Sequence, residues 1–536
     1  MKKTISYTVS ALISLIGTIS CSDFGDVNNN PEKITDEAMD FRIVFTNVVA
    51  QSCGADHDVW RNSLIYGANM MQHTTSADWQ QGVFYTYSDG FNSAYWETMY
   101  RGDRAVLRDA LLIMNAWKNK PGYENDYQMC RIIRAFVFHR MTDLYGDIPY
   151  SEATHASDQN ILYPKYDKQQ DIYNDLLKEL DEAQAALDPS LPSAMSNQDL
   201  LYQGDASKWK KFANSLMLRI AMRLTKVDPT TAQTWVQKAL SNGVFKSIND
   251  NAMVNHPDGN SLDDGSEPYG KIFSNSDPQA FFLSEYFINM LKNTNDPRLA
   301  LIATVCEDPS GKWQGEFDFG NIDPEKQVGM PIGYDLNGGQ WDLSTAPGYP
   351  GKDWRSYYSL PNRYTFARPD VPTMLLTYAE QQLLLAEAAY RGWISDKSAE
   401  TYYKEGVTAA MQQFSFYTNP NAQQLYNTHL TLSNIEGYLA ANPFDNNKAF
   451  EQINTQYYIT TFCDELETFA NWRRSGYPKL TPVNKGYSTC VTNGTIPRRF
   501  TYPTNEVQVN TANYQEAVSR LSGGDNMTSR VWWDAE

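Results

Sequence analysis

Between residues 166 and 226 apolar side chains return twice at helical spacing. Tyr173, Leu176, Leu177, Leu180, Ala183 and Leu187 form one stripe, which stops at Asp188-Pro189. Trp209, Phe212, Ala213, Leu216, Ile220, Ala221 and Leu224 form the next, opened by Gly204-Asp205-Ala206-Ser207. Each stripe covers one side of a helix and cannot stay in water. Two such helices joined by a polar linker therefore fold back and bury each other's stripe. The design recurs at 373–416. There Ala386, Ala388 and Ala389 permit close helix approach, Gly392 ends the first helix, and Ala399–Val407 opens its partner. A chain built this way is mainly α, and its segments between the pairs are left for other work.

Units of this length and pattern are tetratricopeptide-like. Two more helices are predicted from about Thr230 to Ser241 and from Phe281 to Leu291. A third run continues through Phe462, Leu466 and Phe469 into Trp472-Arg473-Arg474, with Cys463 inside it. Arginines near a helix end favour its negative pole. Glu380 and Glu387 lie seven apart on one face, and structural hydrogen bonding within the helix pair is the expectation for them. The tail to Glu536, with Trp532-Trp533, is polar and turn-rich and is expected to pack irregularly over the helices.

The composition stands out in its aromatic residues, 34 Tyr, 23 Phe and 13 Trp. Trp96 and Tyr100 stand four apart and read as a core contact. Trp79, Tyr85, Tyr87 and Phe91 differ, because no helix period buries them. Residues 305–372 hold no lasting helix period and carry Trp313, Trp341, Trp354 and Tyr357. A loop-rich stretch of that length either forms a site or caps one while burying its own aromatics. These eight aromatics are the candidate ligand contacts. Indole faces suit sugar rings, and Asp89, Asn337 and Arg355 can hydrogen-bond hydroxyls.

The formal charge is −18, and about −20 once Lys2 and Lys3 leave with a leader. That balance argues against nucleic acid and against basic adhesion to anionic lipid. Residues 1–20 read as an export signal, with a largely apolar run too short to span a membrane. Ser20-Cys21 closes a relaxed lipobox, so Cys21 is the expected lipidation site and 21–38 a tether. Five cysteines follow: Cys53, Cys130, Cys306, Cys463 and Cys490. They show no zinc spacing, and buried thiols are expected rather than a disulfide framework. The acidic stretch from Asp258 to Glu267 lacks glycine at the sixth position of a calcium loop, where Asp263 stands, so no metal is expected. No common nucleophile or phosphate motif occurs, and no cofactor is expected.

Asp143-Leu144-Tyr145-Gly146-Asp147-Ile148-Pro149-Tyr150-Ser151-Glu152-Ala153 closes a helix whose buried face is Cys130, Ile133, Val137, Met141 and Leu144. This stretch resembles a hallmark of the SusD/RagB family of nutrient-binding outer-membrane lipoproteins. Segments 204–221, 295–299, 374–393 and 451–480 resemble further markers of the family, in the expected order. The resemblance implies one binding domain over 39–536, with four tetratricopeptide-like pairs supporting an irregular half. It also implies a lipid anchor on the cell-surface side of the outer membrane. The partner it implies is a SusC-like TonB-dependent transporter, to which an oligosaccharide or peptide is delivered without catalysis. The markers read as scaffold and transfer no binding residue. The alternatives are a surface glycan hydrolase, for which no carboxylate pair stands out, and a protein-binding repeat scaffold.

Overall fold

The Asp143–Ala153 stretch ends its helix as its residues require. Gly146 takes φ +87°, its N–H returns to the Thr142 carbonyl at 2.8 Å, and Ile148–Pro149 leaves as a strand. The computed structural model describes residues 39–101, 105–156, 158–256, 265–307, 320–483 and 486–536. The leader, the tether with Cys21, Asp258–Asp264 of the acidic loop, and Trp313 lie outside the described residues. The chain divides into two compact units, Met1–Ile43 and Val44–Glu536, and everything below lies in the second.

Helices pack as antiparallel neighbours in sequence order. The first pair is α1 (Val106–Trp117) with α2 (Glu124–Tyr145), and the second α3 (Gln169–Ala186) with α4 (Ala206–Arg223), against which α5 (Pro229–Asn242) also lies. After α6 (Glu285–Asn293) come α7 (Tyr378–Tyr390) with α8 (Ala399–Gln412), then α9 (Ala449–Thr460) with α10 (Glu465–Ser475). The starts are set locally. Asp205 caps α4, Asp228 and Pro229 open α5, and Thr377 with Glu380 forms a reciprocal capping box on α7. The four tetratricopeptide-like pairs form the helical half. The other half is loop-rich and held by short antiparallel ladders, including β1 (Thr74–Thr75) with Phe282–Leu283 and Ala252–Val254 with Thr373–Leu376.

Two predicted helices are corrected. Phe282–Leu283 is a strand, and α6 begins only after Ser284, whose hydroxyl caps it. A short apolar run fits either period, and here the ladder to β1 takes it. The run through Phe462 is broken at 461–464, where Cys463 takes φ +67° and its N–H donates to Glu465 at 3.0 Å. The tail is more regular than expected, with helices Thr504–Val509 and Thr511–Ser519. Trp96 and Tyr100 do pack together, with centroids 4.9 Å apart.

The marker segments and the end of α4 meet in buried ion pairs and hydrogen bonds. Arg219 and Arg223 of α4 face Glu380 of α7 at 2.6 Å and Glu467 of α10 at 2.5 Å, and Arg223 also reaches Asp143 of α2 at 3.2 Å. Tyr173 donates to Asp143, and Tyr457 donates to Glu467 at 2.7 Å and to Glu380 at 3.2 Å. Arg474 forks onto Glu387 at 2.7 and 2.8 Å, and Arg298 pairs with Asp296 and bonds Gln456 of α9. Glu380 and Glu387 thus have structural partners. Burial opposes the charge on Glu467, but Arg223 and Arg219 outweigh it and hold the carboxyl well below its usual range. Arg473 stacks between Phe469 and Trp533, at 4.0 and 4.7 Å.

Glu267 behaves oppositely. It lies at a small internal cavity with Tyr269 and Cys463, and burial pushes its carboxyl up to about 7. The folded chain then holds this proton more tightly than the unfolded one, whose carboxyl titrates near 4.5. The resulting stability is full below pH 4.5 and is lost as pH rises through 7. The melting temperature of the wild type relative to Glu267→Gln is therefore expected to rise as pH falls from 7.5 to 4.5. Thermal melts of both proteins across that range check it, and a constant difference would contradict it.

Candidate functional site

Val59–Ala68 is wound as a π-helix, and Ile272–Ser276 is another π turn. Such segments are rare and recur at functional sites. The first carries Trp60 and Arg61, and the second ends at Asp277. The 79–91 stretch, read from sequence as a loop, winds into short helices at Gln81–Phe84 and Asp89–Asn92, and Gly82 lets it lie on the first segment, because a Cβ there would stand 2.2 Å from the Ile65 carbonyl oxygen. Beneath them Leu64, Ile65, Ile272, Phe273 and Phe281 form a buried apolar cluster, against which Trp60, Trp79 and Phe91 pack half-buried.

The result is an aromatic patch with a carboxylate at its centre. Trp60 and Trp79 meet edge to face at 4.7 Å and 85°. Phe91 stands 5.7 Å from Trp60 and 6.1 Å from Trp79, with the Arg61 guanidinium 5.1 Å over its ring. Both indole N–H groups donate to Asp277 Oδ2, at 3.2 Å from Trp60 and 2.5 Å from Trp79. Its Oδ1 accepts from none of the described residues at hydrogen-bond distance. Burial raises the Asp277 carboxyl above its ordinary value, and the two indole donors oppose that. Arg355 borders the patch, forking onto Asp78 at 3.0 and 2.8 Å and donating to the Gln279 carbonyl. That fork ties Asp78, next to Trp79, to the central segment.

The sequence candidates fall into groups. Trp79 and Phe91 are in the patch, and Arg355 is on its border. Trp354 is only 7% exposed; it packs on Phe282 at 5.2 Å and lies 4.2 Å under the Arg355 guanidinium, so it supports from below. Tyr357, 43% exposed, stands beside Tyr358 with centroids 5.3 Å apart. Tyr85 is 1% exposed, and its hydroxyl accepts from the Val483 N–H at 3.3 Å, so it braces that segment out of a ligand's reach. Trp341 lies close to Gly486. Tyr87 is 40% exposed and donates to Asp89, whose carboxylate already accepts from Thr504 at 3.0 and 2.7 Å. Asn337 is exposed, with its N–H and Nδ2 donating to the Asp335 carboxylate at 3.1 and 3.2 Å.

Trp60 and Asp277 are not among the sequence candidates. Trp60 stands in a run that reads as ordinary helix, where a tryptophan signals core, and Asp277-Pro278 reads as a turn. The adjacent Trp60-Arg61 pair, an aromatic beside a cation, was the available signal. Among the described residues no helix is long and apolar enough to cross a membrane.

A SusD-like family model, described as starch-binding and associating with the outer membrane, matches residues 31–503. Among solved structures, one described as a chitin-binding protein is 32% identical with a TM-score of 0.76, covering 92% of this chain and 99% of its own. A Bacteroidetes AC2a SusD-like protein is 29% identical with a TM-score of 0.77, over 93% and 100%. A chitin-binding SusD homologue from Flavobacterium johnsoniae is 26% identical with a TM-score of 0.73, over 92% and 99%. None of the curated proteins compared matches the chain.

Proposed function

The chain belongs to the SusD-like family, and on that premise we propose that it captures a neutral oligosaccharide at the cell surface and hands it to a SusC-like TonB-dependent transporter. The observation that carries the ligand reading is the convergence of the Trp60 and Trp79 indoles on Asp277. The N–H bonds fix both rings, an indole face remains for a sugar ring, and Asp277 Oδ1 is left to accept a hydroxyl or amide proton. Phe91 extends the contact, and Trp354 supports the bordering Arg355 from below. Two similar proteins bind chitin, so oligomers of N-acetylglucosamine are the first ligands to test.

The reading is non-enzymatic. A glycosidase needs two working carboxylates roughly 5–10 Å apart, and at this patch Asp78 is neutralised by Arg355. Calorimetry of the chain from Ser22 onward with a glycan panel, with product analysis on the same samples, tests this. Saturable binding with intact glycan supports it, and cleavage overturns it. For the partner, the tagged full chain drawn from detergent-solubilised outer membranes is expected to bring a TonB-dependent barrel with it.

The anchor in this reading is acylated Cys21. A buried acyl chain contributes about 0.8 kcal/mol per CH₂, and several chains together hold a protein on a membrane. Cys21→Ala is expected to move the protein from the membrane to the soluble fraction, and retention on washed membranes would remove the lipid anchor from the account.

A further inference from the structure

A second concavity, separate from the aromatic patch, opens between α6, the 331–347 segment and residues 481–483. Its volume is about 810 Å³, within the range of roughly 300–1,000 Å³ typical of ligand sites. It shares no lining residue with the patch. One wall is the outer row of α6, where Glu285, Asn289 and Asn293 project on successive turns and are all exposed. Tyr286 and Tyr334, both half-buried, supply ring surface. The floor is Gln72, fully buried and held at φ +61°, a region that side-chain-bearing residues seldom occupy. Its carbonyl accepts from Ser284 and its Nε2 donates to the Thr481 carbonyl at 2.5 Å, while its Oε1 has no partner among the described residues. Gln72 thus ties the floor to the 481–483 wall, with its Oε1 shut away from solvent.

We propose that this cleft is a second binding site for a neutral oligosaccharide. Its polar wall is made of amides, which both donate and accept, as sugar hydroxyls do. Glu285 is the one charged residue among its described lining, so no cation awaits a phosphate, sulfate or carboxylate, and an anionic ligand would meet repulsion. The α6 row spans about 12 Å over its two turns, long enough to line a short oligosaccharide. The site goes beyond the patch reading and stands without it.

Calorimetric titration of the chain from Ser22 onward with neutral chitin-, cellulose- and starch-derived oligosaccharides tests it. Four proteins are compared: wild type, Trp60→Ala/Trp79→Ala, Asn289→Ala/Asn293→Ala, and the combination. The tryptophan variant is expected to keep a saturable site, and adding the asparagine changes should weaken that site at least tenfold with melting temperature unchanged. If the asparagine variant alone loses binding while the tryptophan variant binds like wild type, the cleft stands and the patch reading falls. The proposal is overturned if the tryptophan variant binds nothing, if the asparagine changes leave its isotherm unaltered, if no oligosaccharide binds wild type, or if only a neutral peptide fills the cleft.

Discussion

Replacing Arg223 with alanine is expected to destabilise the protein by about 3–5 kcal/mol, the usual cost of stripping one partner from a buried ion pair. Arg223 sits between Asp143 at 3.2 Å and Glu467 at 2.5 Å, with all three side chains out of water. Removing it leaves Glu467 with Arg219 at 3.8 Å and the Tyr457 hydroxyl, and leaves Asp143 with no arginine, only the Tyr173 hydroxyl and the His139 ring at 3.2 Å. Whole-domain stabilities are about 5–15 kcal/mol, so this one change takes away a large share. Arg223→Lys should recover part of the loss, because a single ammonium replaces the charge but not the planar fork. Urea unfolding of the three proteins checks the prediction. A loss below about 1 kcal/mol for the alanine variant, the scale of an exposed pair, would mean the network is not what joins the helix pairs.

That network explains why the fold was legible and the site much less so. The stripes at 166–226 and 373–416 report burial directly, because a helix must put its apolar residues on one face. Asp143, Arg219, Glu467 and Arg474 of the marker segments, and Arg223 two residues past one of them, are each half of an ion pair closed by a distant segment. Periodicity alone reads Arg473-Arg474 as a helix-end pair, since the sequence does not say that Glu387 waits across the core. The site's partners, Trp60 and Trp79 with Asp277, are as far apart in the chain, and no period points from one to the other. Trp79 and Phe91 were found because no helix period claims them. Trp60 is hidden inside one, in the π-helical segment on which Gly82 seats the 79–91 stretch. Tyr85 and Trp354 show the converse, being loop aromatics drawn into supporting positions.

Trp79→Ala is expected to weaken oligosaccharide binding by roughly 10- to 100-fold, equivalent to about 1.4–2.8 kcal/mol and the scale of a tryptophan anchor in an interface. The change removes an indole face and one of the two donors that fix Asp277. Helicity should be unchanged, because Trp79 is half-buried on the loop side and touches none of the ion pairs that join the helices. Trp79→Phe should fall between, keeping a ring but losing the N–H. Titration calorimetry beside circular dichroism separates the outcomes. Lost helicity would make Trp79 a core residue, and unaltered affinity would remove the patch from the binding account.

A crystal structure of the chain with a chitin-derived oligosaccharide is expected to show an intact sugar ring stacked on the Trp60–Trp79 pair within about 4 Å, the contact distance of packed heavy atoms, with a hydroxyl or amide donating to Asp277 Oδ1. An oligosaccharide that leaves this patch empty, or that lies across it cleaved, would contradict the account.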